Sequence, residues 1–441
     1  MSAKEYYRTA PILLPDLPPE IWLSIFRLAT WSTDIFNPQL MVLAGCDTAY
    51  RENLREFKRS LVSSPPFFCW DDISPESNKV TKRYLVRVCK AWYRFASPFL
   101  FEYIFLGRGR VLAPLRDGML RPEQPLESQD SPHTIGRWTQ RIDVHIRDRT
   151  DDPDLIMDIL ADILRQLPNL RILTFAVIGH GYNFYYLPEN VLQATNACCN
   201  TLRLLNWYGG PGPSSNAWKS FLENHTRLEA INAPVALTQL GTGNSHIVLN
   251  SLKSVYVHCR TDPSSSLTKD ELWNIDLPAI HHAIYDLTWT TQGFNFEFDD
   301  FLPKIGPKLT SIQINCLKSG VAIAVSFYNV FSRIMVTCTN LARVDIVTHD
   351  WLMPPSFFFP RTVHTLGISI NVRQMSKRSV EALFGYIHDF LFLLPSMKTI
   401  CFMDGGNVRA LHAHPQTLRS CVARIIILDV NVMDHEGRPL V

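Results

Sequence analysis

Apolar positions follow one recurring pattern along most of the chain. From about residue 135, a leucine is followed by two variable residues and then by alternating apolar positions. Such alternation predicts short β-strands with one face in a core. The pattern recurs at spacings of about 22 to 34 residues, which is typical of a solenoid whose repeats pack on their neighbours. The copies are NLRILTFAVI (from 169), TLRLLNWYG (201), RLEAINAP (227), SLKSVYVHC (251), AIYDLTWTT (283), KLTSIQINC (308), NLARVDIVT (340), TVHTLGISI (362) and SMKTICFMD (396), with TQRIDVHIRD (139) and VARIIILDV (422) as predicted end repeats.

Amphipathic helices are predicted between the strands. The three clearest are DPDLIMDILADILRQLPNL, SSNAWKSFLENH and SKRSVEALFGYIHDFLFLLP, each with apolar residues at helical spacing. A strand followed by a helix, repeated, gives a right-handed coil with parallel strands on its inner wall. The buried helix positions are expected to be Ile156, Ile159, Leu160, Ile163, Trp218, Phe221, Leu222, Val380, Leu383, Phe384 and Ile387.

Two apolar helical stretches precede the repeats, LPDLPPEIWLSIFRLAT at residues 14–30 and LVRVCKAWYRFASPFLFEYIFL at residues 85–106. A helix that is apolar over more than half its circumference needs contacts on two sides. One side is expected to pack inside its own module and the other elsewhere. In the first stretch, Ile21, Ile25 and Leu28 share one face, with Trp22 and Phe26 on the neighbouring flank.

Taken together, the two stretches resemble an F-box, the helical module that docks substrate receptors on Skp1 in SCF ubiquitin ligases. The matching segments are Leu17-Pro18, Glu20-Ile21 and Ile25-Phe26 in the first stretch, and Val88-Cys89-Lys90, Trp92 and Pro98–Leu100 in the second. The resemblance implies that the protein binds Skp1 and, through it, a cullin-RING ligase. The Skp1-binding residues that it implies are Leu17, Pro18, Ile21, Ile25, Phe26, Val88 and Trp92.

An insertion at residues 31–83 separates the two halves, where the usual module has only a short second helix. Insertions at this point are familiar from F-box-like proteins of mushroom-forming fungi. Leu54, Phe57 and Leu61 predict a short amphipathic helix within it, and PPFFCWDDISPESNK predicts a loop. Because the entropy of loop closure grows slowly with length, the insertion is expected to cost the module little stability.

The repeats resemble a leucine-rich-repeat horseshoe or arc, the usual companion of an F-box. The ladder of asparagine or cysteine after the strand is absent at a fixed offset, so an irregular solenoid is expected. The predicted fold class is therefore α/β: a small N-terminal helical F-box-like module, then an irregular leucine-rich-repeat solenoid of short parallel strands and helices. The predicted domains are the module at 14–106, a connecting segment at 107–134 and the solenoid at 135–441.

Composition favours a folded intracellular protein. The 441 residues are 46% hydrophobic and 19% charged, which excludes disorder as the general state. A net charge of +2 gives no field that favours nucleic acid or an anionic membrane as partner. The ten cysteines include no C-x-x-C pair, and the first residues carry no apolar export signal. Reduced thiols and a place in the cytoplasm, the nucleus or both are expected.

Known catalytic motifs are missing from the sequence. GRGRVL at 107–112 lacks the third glycine of a dinucleotide-binding loop, and no phosphate-binding loop, nucleophile elbow or H-E-x-x-H occurs. His281-His282 and HAHP at 412–415 have no cysteine or carboxylate at metal-ligand spacing, so surface histidines are the better interpretation. No catalytic residue, metal or cofactor is predicted, and the protein is not expected to be an enzyme.

A binding surface is predicted on the concave wall, at positions between the leucine-type core residues. These positions mix aromatic, amide and charged side chains, which are typical of recognition surfaces. The alternative is that any solvated sheet face is polar. The predicted substrate-binding residues are Asn206, Tyr208, Tyr256, His258, Asp286, Gln313, Asn315, Arg343 and Asp345.

The sequence therefore predicts a substrate-recognition adaptor of an SCF-type ligase, which acts by holding an unknown protein substrate near the ligase. Two alternatives stay open. One is a non-catalytic interaction scaffold whose F-box remnant does not meet Skp1. The other is an unrecognised hydrolytic enzyme on an irregular α/β fold, which would need a deep pocket with paired titratable residues.

Overall fold

A computed structural model gives the architecture of the chain. The residues that it describes are 17–30, 75–120, 135–144, 146, 152–175, 188–198, 200–207, 214–232, 247–258, 275–286, 302–316, 328, 331–348, 359–370 and 375–441.

Twelve strands form one all-parallel sheet, and their spatial order is their order along the chain. Sequential parallel neighbours are the topology of a solenoid-like α/β fold. The strands are β1 (Tyr103–Leu106), β2 (Arg141–Val144), β3 (Ile172–Phe175), β4 (Leu204–Trp207), β5 (Ala230–Asn232), β7 (Ser254–His258), β9 (His282–Asp286), β10 (Ser311–Cys316), β11 (Arg343–Thr348), β12 (Thr365–Ile370), β13 (Thr399–Phe402) and β14 (Asn431–Met433). Two further short strands, β6 (Ile247–Val248) and β8 (Ile275–Asp276), pair in a separate small sheet.

The leucine-type positions of the repeat are in register across the sheet. Each pairs with its equivalent on the next strand, so one continuous row of buried apolar side chains forms the core. The strand predictions at all nine internal copies, and at TQRIDVHIRD, are confirmed. The row runs through Ile104, Ile142, Leu173, Leu205, Ile231, Val255, Ala283, Ile312, Val344, Leu366, Ile400 and Val432.

Helices alternate with the strands and cover the core side of the sheet. They are α1 (Pro19–Thr30), α2 (Pro75–Val88), α3 (Lys90–Phe101), α4 (Leu112–Leu120), α5 (Pro153–Leu164), α6 (Glu189–Cys198), α7 (Ser215–Asn224), α8 (Lys377–Phe392), α9 (Gly405–His412) and α10 (Pro415–Ile426). Residues 302–305 and 331–337 are helical as well. Short 3-10 turns lie at Gly109–Val111, Ile135–Trp138 and Gly306–Lys308. Helices α4 to α7 contact one another in sequence order, as successive repeats require. No helix within the described residues has the length and apolarity needed to cross a membrane.

Local sequence explains where the helices begin. The Ser376 hydroxyl accepts a hydrogen bond from the Ser379 N–H at 3.1 Å and caps α8. At the start of α3, the Cys89 sulfur accepts one from the Trp92 N–H at 3.5 Å. The predicted inward faces of α5, α7 and α8 are confirmed, because all eleven apolar residues predicted for them are buried.

Residues 434–440 close one edge of the sheet. Met433 pairs with Pro439 in antiparallel fashion, and the Leu440 N–H donates to the Val432 carbonyl at 2.9 Å. Gly437 has a φ of 76°, a left-handed conformation that favours glycine in the turn between them. Since an open strand edge recruits other strands, this closure protects that end of the sheet.

The predicted domain boundary at residue 106 is wrong. Strand β1 (Tyr103–Leu106) is the first strand of the large sheet, so the sheet begins before residue 135. The segment predicted to be a connection, 107–134, contains α4, which packs against α5. Residues 103–106, the end of the apolar stretch predicted to be helical at 85–106, form β1 and pair with β2.

Two further segments differ from the prediction. Helix α2 begins at Pro75 and therefore occupies the end of the predicted insertion at 31–83. Residues 31–74, with the predicted helix around Phe57, lie outside the described residues. The predicted end strand at 422–430 is largely helical, since α10 runs to Ile426 and the last strand starts at Asn431. Its apolar residues serve α10, where Val422 and Ile425 are buried at helical spacing.

Candidate functional site

The N-terminal helices enclose a small aromatic core of their own. The ring of Trp92 on α3 lies 5.0 Å from that of Phe26 and 5.3 Å from that of Trp22, measured between centroids. Phe26 is 1% exposed, and Thr30, one turn further along α1, is buried as well. Positions 22, 26 and 30 therefore form the inward face of α1, since residues four apart share a helix face.

A second apolar face of α1 is open to solvent. The side chains of Ile21, Ile25 and Leu28 are 46%, 40% and 78% exposed. We call these three residues the apolar strip. Exposed single hydrophobic residues are ordinary, but three at i, i+4 and i+7 on one helix form a contiguous surface that a partner can cover.

Helix α2 adds exposed apolar side chains beside α1, with which it is in contact. Tyr84 is 66% and Val88 is 54% exposed, and they lie four residues apart on one face. Arg83 and Arg87, each one position earlier, are exposed too. The described part of α2 therefore carries an apolar stripe and a basic stripe side by side.

The residues predicted to bind Skp1 divide between the two faces of the module. Pro18, Ile21, Ile25 and Val88 are exposed, and Leu17 is partly exposed. Phe26 is buried and Trp92 partly buried, in contact with each other, so both belong to the internal core instead. The face of α1 that carries Phe26 packs on α3, so these two residues lie between the helices and not on the exposed face. Sequence reasoning left out Leu28 and Tyr84, although Leu28 follows from the same helical period.

The module is joined to the sheet without a linker. Helix α3 ends at Phe101, whose carbonyl accepts a hydrogen bond from the Thr139 hydroxyl at 2.9 Å. The backbone N–H of Gln140 donates a hydrogen bond to the backbone carbonyl of Glu102 at 2.9 Å. The side-chain amide of Gln140 donates another to the Glu102 carboxylate at 3.0 Å. These bonds fix the direction of α3 relative to β2.

One carboxylate at this junction lies among cations from three elements. Burial raises the pKa of Glu102, and the cations Lys82, Arg27 and Arg171 oppose the rise. Lys82 lies on α2, Arg27 on α1 and Arg171 beside β3. The three cations therefore lessen the electrostatic cost of burying Glu102 where the module meets the sheet.

The predicted concave row is not an open surface. Asn206, Gln313, Asn315 and Asp345 are all at most 4% exposed. Their prediction as a solvated recognition row is therefore wrong for these four residues. Tyr208 lies outside the described residues, as do the side chains of Tyr256, His258 and Asp286, whose backbones lie in β7 and β9. Arg343 remains part-exposed.

The reason lies in how side chains pack on this face. Side chains two residues apart on a strand share one face, so polar groups there can bond to each other. The side-chain amide N–H of Gln313 donates to the side-chain Oδ1 of Asn315, two residues further along β10, at 2.8 Å. The same face also carries a second apolar cluster of buried residues, Ile172, Leu204, Ala230 and Ile284.

Arg343 and Asp345 form the most constrained pair on this face. The Arg343 Nε–H donates to both carboxylate oxygens of Asp345, at 2.9 and 3.0 Å. Burial raises the pKa of Asp345, and the guanidinium opposes that rise. A Cβ at Gly367, on the next strand, would overlap a carboxylate oxygen of Asp345, so the pair requires glycine there.

Arg141 and Asp143 on β2 form a second arginine–aspartate pair, two residues apart like Arg343 and Asp345. The Arg141 NH2 group donates to Asp143 at 2.6 Å, and the Tyr103 hydroxyl donates to the same carboxylate at 2.8 Å. The guanidinium also lies 4.9 Å from the Tyr103 ring. Sequence reasoning missed this site, although the Arg-x-Asp spacing on a strand puts both side chains on one face and was a usable signal.

His282 is a partly exposed histidine on the same face of the sheet, with its ring nitrogens largely shielded from solvent. Its Nδ1 lies 3.0 Å from the Ser311 hydroxyl, and burial lowers its pKa to about 4, with His281 and Arg343 adding to the effect. Its Nε2 is buried without a hydrogen-bond partner. Across the described residues, no three histidine, cysteine or acidic side chains are grouped so as to hold a metal ion.

Comparisons with known proteins give no family for the chain. No family model matches it, and no curated protein matches it. Among solved structures, the chain is similar to the crystal structure of a Bacteroides fragilis protein, a structural genomics target. The alignment covers 67% of this chain and 75% of the Bacteroides fragilis chain. The two are 12% identical with a TM-score of 0.32, a likeness too low to support any statement about function.

Proposed function

We propose that this protein is a substrate-recognition adaptor of an SCF-type ubiquitin ligase. The N-terminal helices α1 to α3 would serve as the F-box and dock on Skp1, while the repeat region would hold the protein substrate. The proposal rests first on the sequence resemblance of residues 14–30 and 85–106. In this role the protein would need no catalytic group of its own, because an adaptor acts by raising the local concentration of substrate near the ligase.

The observation that carries the proposal is that α1 has two apolar faces, of which one packs inside the module and the other is exposed. One apolar face, with Phe26, is used inside the module, and the other, the apolar strip, is exposed. A helix that served only to seal the end of the solenoid would need one apolar face. The second face favours a partner chain that covers Ile21, Ile25 and Leu28.

The junction at Glu102 supports the same role. An adaptor must hold its substrate at a defined position relative to the ligase, because transfer depends on proximity. The hydrogen bonds from Thr139 and Gln140 tie α3 to the sheet with no intervening linker. In the proposed complex, the repeat region would therefore keep one orientation relative to Skp1.

Substrate would bind outside the buried part of the predicted concave row. Asn206, Gln313, Asn315 and Asp345 are excluded as contact residues in this conformation, because no partner reaches a side chain so deeply buried. Arg343 is part-exposed and stays in the proposal. The concave wall thus offers fewer contact residues than the sequence pattern indicated.

The test is co-purification of the full chain with Skp1, comparing wild type with Ile25→Asp. A charge in an apolar contact should cost about 2 kcal/mol or more, which weakens binding tens of fold. Ile427→Asp is the matched control, since Ile427 is exposed at the far end of the sheet. Retention of Skp1 by Ile427→Asp and its loss by Ile25→Asp are expected. Failure of the wild type to retain Skp1 would favour a scaffold without ligase function.

A further inference from the structure

The side chains described on α1 and α2 carry more positive than negative charge. Among the side chains described on α1 and α2, Glu20 is the one acidic group. The basic groups there are Arg27, Lys82, Arg83 and Arg87. Because the whole chain carries a net charge of only +2, this local excess is a distinct feature of its surface.

The four cations differ in their surroundings. Lys82 is buried, and both Lys82 and Arg27 lie within the electrostatic field of Glu102 at the junction with the sheet. Arg83 and Arg87 are exposed, and no ion pair joins either to a described carboxylate. They lie four residues apart and therefore share a face of α2, which we call the arginine stripe.

The arginine stripe adjoins exposed apolar side chains. Tyr84 and Val88 follow Arg83 and Arg87 by one residue each, which places the apolar stripe next to the basic one around the helix. Arginine and tyrosine beside aliphatic side chains are typical of the centre and rim of protein interfaces. The described surface thus combines apolar side chains with two arginines that form no ion pair with a described carboxylate.

We propose that the docking partner presents an apolar groove bordered by carboxylates, which pair with Arg83 and Arg87. This inference rests on the proposed function and specifies the chemistry of the partner at that site. Electrostatic complementarity of this kind chiefly accelerates association, and the effect is screened by salt. The arginine stripe therefore steers the partner, and the apolar side chains hold it.

An anionic membrane is the other surface that attracts basic and apolar helices. A helix that lies in a bilayer surface needs a wide apolar face to insert. The exposed apolar stripe of α2 contains two described residues and the apolar strip of α1 contains three, while Trp22 and Phe26 are used inside the module. Both features favour a protein groove over a lipid surface.

The test measures association of the full chain with recombinant Skp1 by stopped flow, at about 50 and about 500 mM salt, where screening differs strongly. The double variant Arg83→Glu/Arg87→Glu is expected to associate roughly tenfold or more slowly at low salt, and within about twofold of wild type at high salt. Arg83→Gln/Arg87→Gln, which removes charge without reversing it, should show a smaller loss in the same direction. Circular dichroism verifies that each variant is folded.

Arg419→Glu/Arg424→Glu on α10 is the matched control, because both arginines are exposed on a helix far from α1 in the chain. Its association rate should equal that of wild type. If it slows association as much as the α2 variant, net charge alone is responsible and the inference is wrong.

The outcomes separate this inference from the proposed function. Suppose that Ile25→Asp abolishes binding while Arg83→Glu/Arg87→Glu associates at the wild-type rate at low salt. The proposed docking on Skp1 is then supported, and the inference that carboxylates of the partner pair with Arg83 and Arg87 is wrong. If wild type does not bind Skp1, the proposed function fails, and the inference fails with it. If wild type co-sediments with phosphatidylserine vesicles, the α2 variant does not, and Skp1 association is unchanged, the arginine stripe serves a membrane instead.

Discussion

The ring of Phe26 on α1 meets the ring of Trp92 on α3 edge to face, with centroids 5.0 Å apart and planes at 67°. These two residues come from the two sequence stretches that the insertion separates. Their contact joins the stretches into one helical module. It also determines which face of α1 is left outside, because the side of the helix opposite Phe26 carries the apolar strip.

Phe26→Ala is expected to destabilise the module by about 3 kcal/mol or more, since it removes a buried aromatic ring. Urea unfolding followed by tryptophan fluorescence measures this, because Trp22 and Trp92 flank the site. Leu28→Ala is the control on the same helix, and its effect should stay within about 0.5 kcal/mol because Leu28 is largely exposed. Equal effects of the two variants would contradict the two-faced packing of α1.

Gly367→Ala is expected to destabilise the sheet by about 2 kcal/mol or more, because the added Cβ would overlap the carboxylate that Arg343 holds in place. Gly385→Ala on α8 is the matched change, since nothing lies within 4 Å of the Cβ it would add. Alanine there should stabilise the helix by about 0.5 to 1 kcal/mol. Melting temperatures of the two variants should therefore move in opposite directions, and a shared direction would refute this packing.

Acid should destabilise the fold between about pH 6.5 and pH 4. Burial lowers the pKa of His225 to about 4, whereas the unfolded chain protonates this residue near pH 6.5. In that window the unfolded state binds a proton that the folded state does not, so the free energy of unfolding falls as pH falls. The loss for His225 reaches roughly 3 kcal/mol at the acid end of the window. His282 shifts in the same direction for the same cause.

His225→Phe tests this dependence, since it keeps a ring against Phe221, whose centroid is 4.4 Å from that of His225. Urea midpoints at about pH 7.5 and about pH 5 should differ less in this variant than in wild type. Wild type with equal stability at both pH values would show that His225 is not buried in its neutral form.

Periodicity predicted the solenoid well because its signal is repeated. Leu205, Ile312 and Val344 lie in register in the core, and Val380 and Leu383 face it from α8, as the spacing indicated. Strand β1 was missed because a four-residue aromatic stretch after a helix has no alternation of its own to reveal it. Only pairing with β2 distinguishes it from a helix tail.

The candidate site could be predicted only in part. Helical spacing placed Ile21 and Ile25 on one face, and both are exposed. It could not decide whether the flank with Phe26 or the strip packs inward, because both are apolar. On the polar face of the sheet, polar residue type does not by itself imply exposure. Asp345 is buried because Arg343 neutralises it from the same strand face, a relationship that the Arg-x-Asp spacing contained but residue type alone did not show.

The most direct test of the central claim is hydrogen exchange of the full chain with and without Skp1. If α1 docks on Skp1 as proposed, exchange should slow on Skp1 addition in peptides covering residues 19–30 and 81–88, with no change in α10. Unaltered exchange across both segments under saturating Skp1 would contradict that docking.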